Sequence, residues 1–397
     1  MISSYLKALC SLVVHTFLKS IPFRSTIHYD VTIVRADAIG DFVMWMGAID
    51  SYRKKYQGKR VLLICSKADK EIVEPLGFFT DVITFNRAKL ANDIGDFYHF
   101  MREMKTISSD VVINPVWDHT QIDDFICGMI QSPCKYASKV KRDITVNGWL
   151  DNVTLKLVKW GVLDMGKWYY NNLLPMPDHK TTSEQEAIQA FTRQLIDSEF
   201  NYRLANLSHI TKDYVCSIEG DYCFVSLSSS RVLKDWPIES FSALLKHVPS
   251  GYAIVLSGFG VLDEKKAEYL VKENRGKQKV LNYVNKTTVK EMIGLISCSS
   301  FVISNDSATI HIAAACRVPS LCFMHGAHFG RFAPYPDIIP ENEYHPRCVF
   351  KKMDCYGCGY KCNKDFDPNK PFYCLRQVTV DMAKVELSKL LEFVNSK

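Results

Sequence analysis

The chain has 397 residues, 47% hydrophobic and 23% charged, with a formal net charge of +6. That length exceeds what one hydrophobic core serves, so two domains are expected in a soluble, globular protein of ordinary composition. The charge is slight for the size and no long basic run with interleaved aromatics appears, so nucleic acid is not an expected partner.

Residues 1–24, MISSYLKALCSLVVHTFLKSIPFR, are apolar at most positions but interrupted by Lys7, His15 and Lys19. Their apolar runs fall short of the roughly 18 residues wanted for a spanning helix, and no small-residue cleavage site follows. Leu6, Leu9, Cys10, Val13, Phe17 and Ile21 form one helical stripe with lysines beside it. A helix lying on an anionic membrane surface and a helix packed on the first domain both fit, and both stay open.

From Val31 the pattern alternates between strand and helix. Val31 to Arg35 reads as a strand, Ala36 to Gly40 as a loop, and Asp41 to Tyr56 as a helix with apolar residues at three- and four-residue steps. Val61 to Cys65, Val82 to Phe85 and Val111 to Asn114 are further short apolar runs, as in a parallel sheet covered on both faces. The fold class is therefore α/β, with a doubly wound first domain and ligands at the carboxyl ends of its strands. Those ends carry Asp37, Asp41, Asn114 and Asp118.

Prolines and polar residues gather over Asn171 to Thr182, the approach to a domain boundary. The alternation then restarts, with strands at Tyr222 to Leu227, Tyr252 to Leu256, Phe301 to Ser304 and Ser320 to Met324. Helices begin near Ile238, Asp263 and Thr288. The expected divisions are an amphipathic segment (1–27), a first Rossmann-like domain (28–180), a second (181–376) and a final helix (377–397).

Three loops in the second domain suit a diphosphate. SSSRVLKDWP (228–237) offers hydroxyls, Arg231 and Lys234 before a helix; SGF (257–259) puts Gly258 where backbone could approach a ligand closely. NDSATIH (305–311) reads as a helix N-terminus with Asp306, Ser307 and Thr309 as candidate caps. Its unpaired N–H groups and about half a unit of positive dipole charge favour an anion. Together, at one end of successive strands, the loops point to a nucleotide or diphosphate site.

These residues resemble glycosyltransferase family 9, the ADP-heptose:lipopolysaccharide heptosyltransferases, from Val31 to the C-terminus. The matching segments are VRADAIGDFVMWMGAI (34–49), the SSSRVLKDWP loop, FVISNDSATIHIAAACRVP (301–319) and the terminal cysteine segment with its following helix. The resemblance implies a glycosyltransferase B fold, with two Rossmann-like domains facing across a cleft, donor on the second and acceptor on the first. It also implies inverting transfer without a required metal. Asp41 matches the family's general base, with Asp37 as runner-up and Asp37 and Asp118 on the acceptor side. Lys234 matches the lysine that neutralises the donor diphosphate, helped by Ser229 and Ser230. Asp306, Ser307, Ala308, Thr309 and His311 match the turn that contacts diphosphate and sugar.

Two departures from the family pattern stand out. Ser307-Ala308 replaces the usual Thr-Gly, and MHGAHFGRFAPY (324–335), with His325, His328 and Arg331, replaces a Gly-Pro-Thr-Asp type of loop. Of the 14 cysteines most are scattered, as in a reduced cytosolic protein, but Cys355, Cys358, Cys362 and Cys374 cluster. Their spacing allows a structural zinc site, reduced thiols packed in a loop, or a disulfide. The final helix is expected to return to the first domain, as the resemblance implies.

The expected function is heptosyl or related sugar transfer from a nucleotide-diphosphate sugar, ADP-heptose first, to a lipopolysaccharide core or another lipid-linked surface glycan. No cofactor is required, and the place is the cytoplasmic face of a bacterial inner membrane. A UDP-, GDP- or TDP-linked donor, a sugar-nucleotide epimerase and a non-catalytic nucleotide-sugar-binding protein of the same fold are the alternatives.

Overall fold

The computed structural model describes residues 13, 16–22, 25–139, 169–227, 229, 231–276 and 278–397. The chain divides into two units, one formed by residues 1–38, 49–177 and 187–200, the other by 39–48, 178–186 and 201–397.

In the first unit β1 (Ile27–Arg35), β2 (Val61–Ser66), β3 (Asp81–Phe85), β4 (Ile107–Asn114), β5 (Cys134–Ser138) and β6 (Asn172–Leu174) form one parallel sheet, ordered β3-β2-β1-β4-β5-β6. β2 shows why: Val61 to Cys65 are apolar and all buried, the mark of a strand covered on both faces. β1 and β4 begin four residues earlier than their apolar runs. The polar start of β4 is tolerated because the Thr32 hydroxyl donates to Ser109 Oγ at 3.0 Å and Ser109 donates to Tyr29 O at 3.2 Å. Leu18 is buried in this unit's core, and the Lys105 amine donates to the carbonyls of Leu18 and Ile21. Val13, Phe17 and Ile21 are exposed, while the rest of the N-terminal stripe lies outside the described residues.

The single helix expected over 41–56 is two. α1 (Ile39–Trp45) and α2 (Ile49–Lys55) are joined by a 3₁₀ turn at Met46–Ala48. A Cβ on Gly47 would lie 2.3 Å from Arg203 O, so only glycine lets the backbone pass there.

The second unit repeats the plan with β7 (Tyr222–Ser226), β8 (Ala253–Ser257), β9 (Val280–Asn282), β10 (Phe301–Asn305), β11 (Ser320–Phe323) and β12 (Arg347–Val349), ordered β12-β11-β10-β7-β8-β9, all parallel. Among its helices are α3 (Ile238–Leu245), α4 (Val261–Glu273), α5 (Val289–Ser297), α6 (Ala308–Ala315) and α7 (Val380–Asn395). Both sheets have the same relative strand order, with one switch point each, between β1 and β4 and between β7 and β10. Ligands of open α/β sheets bind outside the carboxyl ends of the strands at such a point.

In the C-terminal helix α7, Ala383, Leu387 and Leu390 are buried in the core of the second unit, against β11, β12 and α3. Its apolar stripe meets that sheet directly, and Thr379 caps its start by accepting from Met382 N. Among the described residues no helix is long and apolar enough to cross a membrane.

Candidate functional site

At the second switch point β10 runs into α6 through Asp306 and Ser307. Of the three candidate caps, Ser307 takes the role, accepting from Thr309 N at 3.4 Å and sharing a hydrogen bond with Ser304 Oγ at 3.1 Å. Thr309 donates instead to Ser226 Oγ at 3.0 Å, tying the helix to the end of β7. The Asp306 carboxylate is 6% exposed and its backbone N–H donates to Phe323 O.

Two buried imidazoles flank this turn. His311 Nδ1 lies 2.7 Å from the Tyr335 hydroxyl, a phenol whose pKa burial raises far above its usual range. Burial lowers His311 to about 4, opposed by the charge of Asp306 and helped by that of Lys234. His325, on the loop after β11, is lowered to about 3 by burial, then by the charges of Lys234 and His328. Both rings are therefore neutral near pH 7.

The loop after β7 brings Lys234 to the same end. Its base is anchored: Trp236 stacks on Phe323 at 3.9 Å, its N–H donates to Asn305 Oδ1 at 2.8 Å, and its indole donates to Val378 O at 2.9 Å. Lys266 on α4 forms the other anchor, donating to Asp235 Oδ2 (2.7 Å), Asp263 Oδ1 (2.8 Å) and Leu227 O (3.1 Å). Burial pulls the Lys266 amine down, but its hydrogen bonds to the two carboxylates outweigh that and raise its pKa. Lys234 is half-buried and, among the described residues, pairs with no carboxylate. Ser229 closes its own turn by donating to Arg231 O at 2.6 Å, and Ser230 lies outside the described residues.

Gly258 has a structural cause. A Cβ there would come within 2.7 Å of Asp263 Oδ2, so glycine makes room for the carboxylate that Lys266 holds. Arg331 is paired with Glu184 at 3.3 Å, while His328 meets the Tyr360 ring edge-on at 4.6 Å.

α1, counted with the second unit, packs on the first turn of α6. A Cβ on Gly40 would be 3.1 Å from both Ala308 Cα and His311 Cδ2, and 3.5 Å from Ala308 Cβ. The methyl that Ala308 carries, where the family usually has glycine, thus faces Gly40. Asp41 follows in the first turn of α1 and is half-buried.

The first unit has its own strand-end loop. Asp37 pairs with the fully buried Arg35 at 2.6 Å, a structural use for the runner-up base. Arg35 also donates to Pro115 O at 3.1 Å, and Ser138 Oγ donates to Val116 O (2.9 Å) and Trp117 O (2.6 Å). Asn114 accepts from Val116 N at 3.2 Å and donates to Tyr170 OH at 2.8 Å. His119 lies 2.6 Å from Asp124 Oδ1 and 3.1 Å from Ser138 O. Asp118 is the exposed residue on this fastened loop. Nothing in the sequence separates His119 and Asp124, or Lys266, from ordinary surface residues, because part of what each meets is distant in the chain: Ser138 for His119, Tyr170 for Asp124 and Asp235 for Lys266.

The cysteine cluster does not form the tetrahedral set that its spacing allows. Among the described residues no three His, Cys, Asp or Glu side chains are grouped to hold a metal ion, and Cys355, Cys358, Cys362 and Cys374 are free thiols. Cys374 Sγ instead accepts from Gly326 N at 3.3 Å, and burial raises the thiol pKa of Cys358 and Cys374.

Residues 175–345 match the sequence model of glycosyltransferase family 9 (heptosyltransferase). That stretch holds Lys234, Asp306 to His311 and the loop with His325. A lipooligosaccharide heptosyltransferase 2 of Campylobacter jejuni is 24% identical over 146 residues, 34% of this chain and 44% of that relative, so the match spans under half of the relative's length. A family 9 glycosyltransferase from Veillonella parvula superposes with a TM-score of 0.62 at 14% identity, covering 94% of this chain and 99% of that one. The E. coli heptosyltransferase WaaC with ADP-2-deoxy-2-fluoro heptose gives 0.61 at 16% identity, covering 91% and 99%. At such identities the likeness is one of fold, and the fold is the glycosyltransferase B type.

Proposed function

We propose that the chain is an inverting glycosyltransferase that moves heptose, or a related sugar, from a nucleotide-diphosphate sugar to a hydroxyl of a lipopolysaccharide core or similar surface glycan. ADP-heptose is the donor this reading favours, in line with the ADP-sugar analogue named for the E. coli structure. One observation carries it: a lysine with no carboxylate partner among the described residues, a capped helix N-terminus and the carboxylate-bearing helix α1 at one end of one sheet, in a chain whose residues 175–345 match the family 9 model.

In this reading Asp41 takes the proton from the acceptor hydroxyl as its oxygen bonds to the anomeric carbon. The bond from that carbon to the diphosphate oxygen breaks on the opposite face, so configuration inverts. Lys234 and the N–H groups opening α6 stabilise the negative charge gathering on the departing nucleotide diphosphate. No step uses a metal ion. Asp37 and Asp118 are the residues this reading assigns to the acceptor.

The test is sugar transfer from ADP-heptose to a heptose-free lipopolysaccharide core, read as product mass. A base of this kind contributes about 10²–10⁴-fold, so Asp41→Asn should lose turnover by that factor and keep donor binding. Undiminished turnover in the variant removes Asp41 from the role.

The acceptor places the enzyme at the inner face of a bacterial inner membrane, with residues 1–24 on the lipid surface. Exposed Val13, Phe17 and Ile21 beside buried Leu18 support this. Equal pelleting with anionic liposomes, with and without residues 1–24, would contradict it.

A further inference from the structure

His325 lies in the loop where this chain departs from the family pattern, and its ring is set behind Asp306. It is 1% exposed, and its Nδ1 accepts the Ala327 N–H at 3.1 Å. With Nδ1 so occupied, a neutral ring carries its proton on Nε2. That N–H has no hydrogen-bond partner among the described residues; Asp306 Oδ2 lies 3.6 Å away, slightly too far. The rings of Tyr360 and Phe372, each with its centroid 5.7 Å from that of the imidazole, wall it in.

A buried N–H with no acceptor, next to a nearly buried carboxylate, is unfavourable unless a ligand draws the two together. A carboxylate only accepts hydrogen bonds, and beside a diphosphate it would repel its neighbour. Within the glycosyl-transfer reading, the donor groups that suit Asp306 are the hydroxyls of the transferred sugar. We propose that His325 is a positioning residue that holds one oxygen of Asp306 through Nε2–H, so that the other accepts a hydroxyl of the donor sugar and the pair selects among sugars. Burial together with Lys234 and His328 keeps the ring neutral at working pH, so it stays a donor at Nε2. His328 and Arg231, both against Tyr360, close the same side of the loop.

The experiment is calorimetry with ADP-heptose and with ADP on the wild type, His325→Phe and His325→Gln. Losing a hydrogen bond to a charged group should weaken ADP-heptose about 10- to 100-fold in the Phe variant and leave ADP within about twofold. Gln can place an N–H near the same point and should recover most of the loss. Asp306→Asn should show the same selective loss, and adding His325→Phe to it should cost little more.

If the Phe variant binds ADP-heptose as the wild type does, the proposal is overturned and the donor reading stands. Equal losses of ADP and ADP-heptose, unrecovered by Gln, assign His325 a merely structural role and also overturn it. Full additivity of the two substitutions does so independently of how well the Phe variant folds. A wild type that binds ADP but no sugar nucleotide overturns the donor reading, and the inference with it.

Discussion

At the carboxyl end of the first sheet, the loop 114–120 is fastened at almost every residue. Arg35, Asn114, Ser138 and Asp124 all contact it through buried polar groups. In the loop 227–236 at the second sheet, the described anchors are Lys266 at Leu227 and Asp235, Asn305 at Trp236, and the Phe372 N–H at Leu233 O. Between those anchors Lys234 is left with no carboxylate among the described residues. Groups used as braces should therefore govern stability, and groups presented between braces should govern binding.

The strongest test of that division is Lys266→Met. It leaves Asp235 and Asp263 without their shared cation at a mostly buried place, which should cost about 3 kcal/mol, the low end for breaking a buried pair. The melting transition should fall by about 6 °C or more; a drop under 2 °C would remove Lys266 as a brace. In the first unit Ser138→Ala removes the hydroxyl that bonds Val116 O and Trp117 O, and about 2 kcal/mol should go with it. An unchanged denaturation midpoint would show the loop is held otherwise.

The two neutral histidines add a pH signature. An ordinary histidine titrates near 6.5, whereas His311 and His325 are lowered to about 4 and about 3. Between about pH 6.5 and 4 the unfolded chain binds a proton at each position that the folded chain does not. Their contribution is thus whole above pH 7 and declines as pH falls, by about 1.4 kcal/mol per unit for each ring. His325→Gln should make the decline shallower by one such contribution, seen in melting temperatures between pH 6 and 4.5. An identical slope would mean His325 is already protonated in the folded chain. Smallest of all, Lys234→Ala should change stability by no more than about 0.5 kcal/mol.

The sequence made the elements around both switch points legible because their strands are continuous apolar runs. β5, β6, β9 and β12 were not foreseen: they are short and mixed in polarity, and β6 falls inside the proline-rich stretch read as a domain boundary. The turn from Asp306 to His311 is local, so its cap could be narrowed from sequence to three residues, of which Ser307 proved correct. Lys266 and the His119–Asp124 pair could not be found, because a buried charge is recognised by what it meets, and their meeting points are set by tertiary folding. The cysteine spacing left three outcomes open for the same reason: it permits a ligand set, but the local backbone decides where the thiols point, and Cys374 Sγ accepts from Gly326 N. Likewise, nothing local to Ala308 foretells that its methyl is set against Gly40.

The most direct measurement is a thermal-shift titration with ADP-heptose and with UDP-, GDP- and TDP-sugars, on the wild type and on Lys234→Ala. A ligand that binds the folded state raises its apparent stability with concentration. The account predicts a concentration-dependent rise with ADP-heptose in the wild type, and loss of that rise in Lys234→Ala, whose unliganded transition stays where it was. No rise with any sugar nucleotide, or an equal rise in the lysine variant, would contradict it.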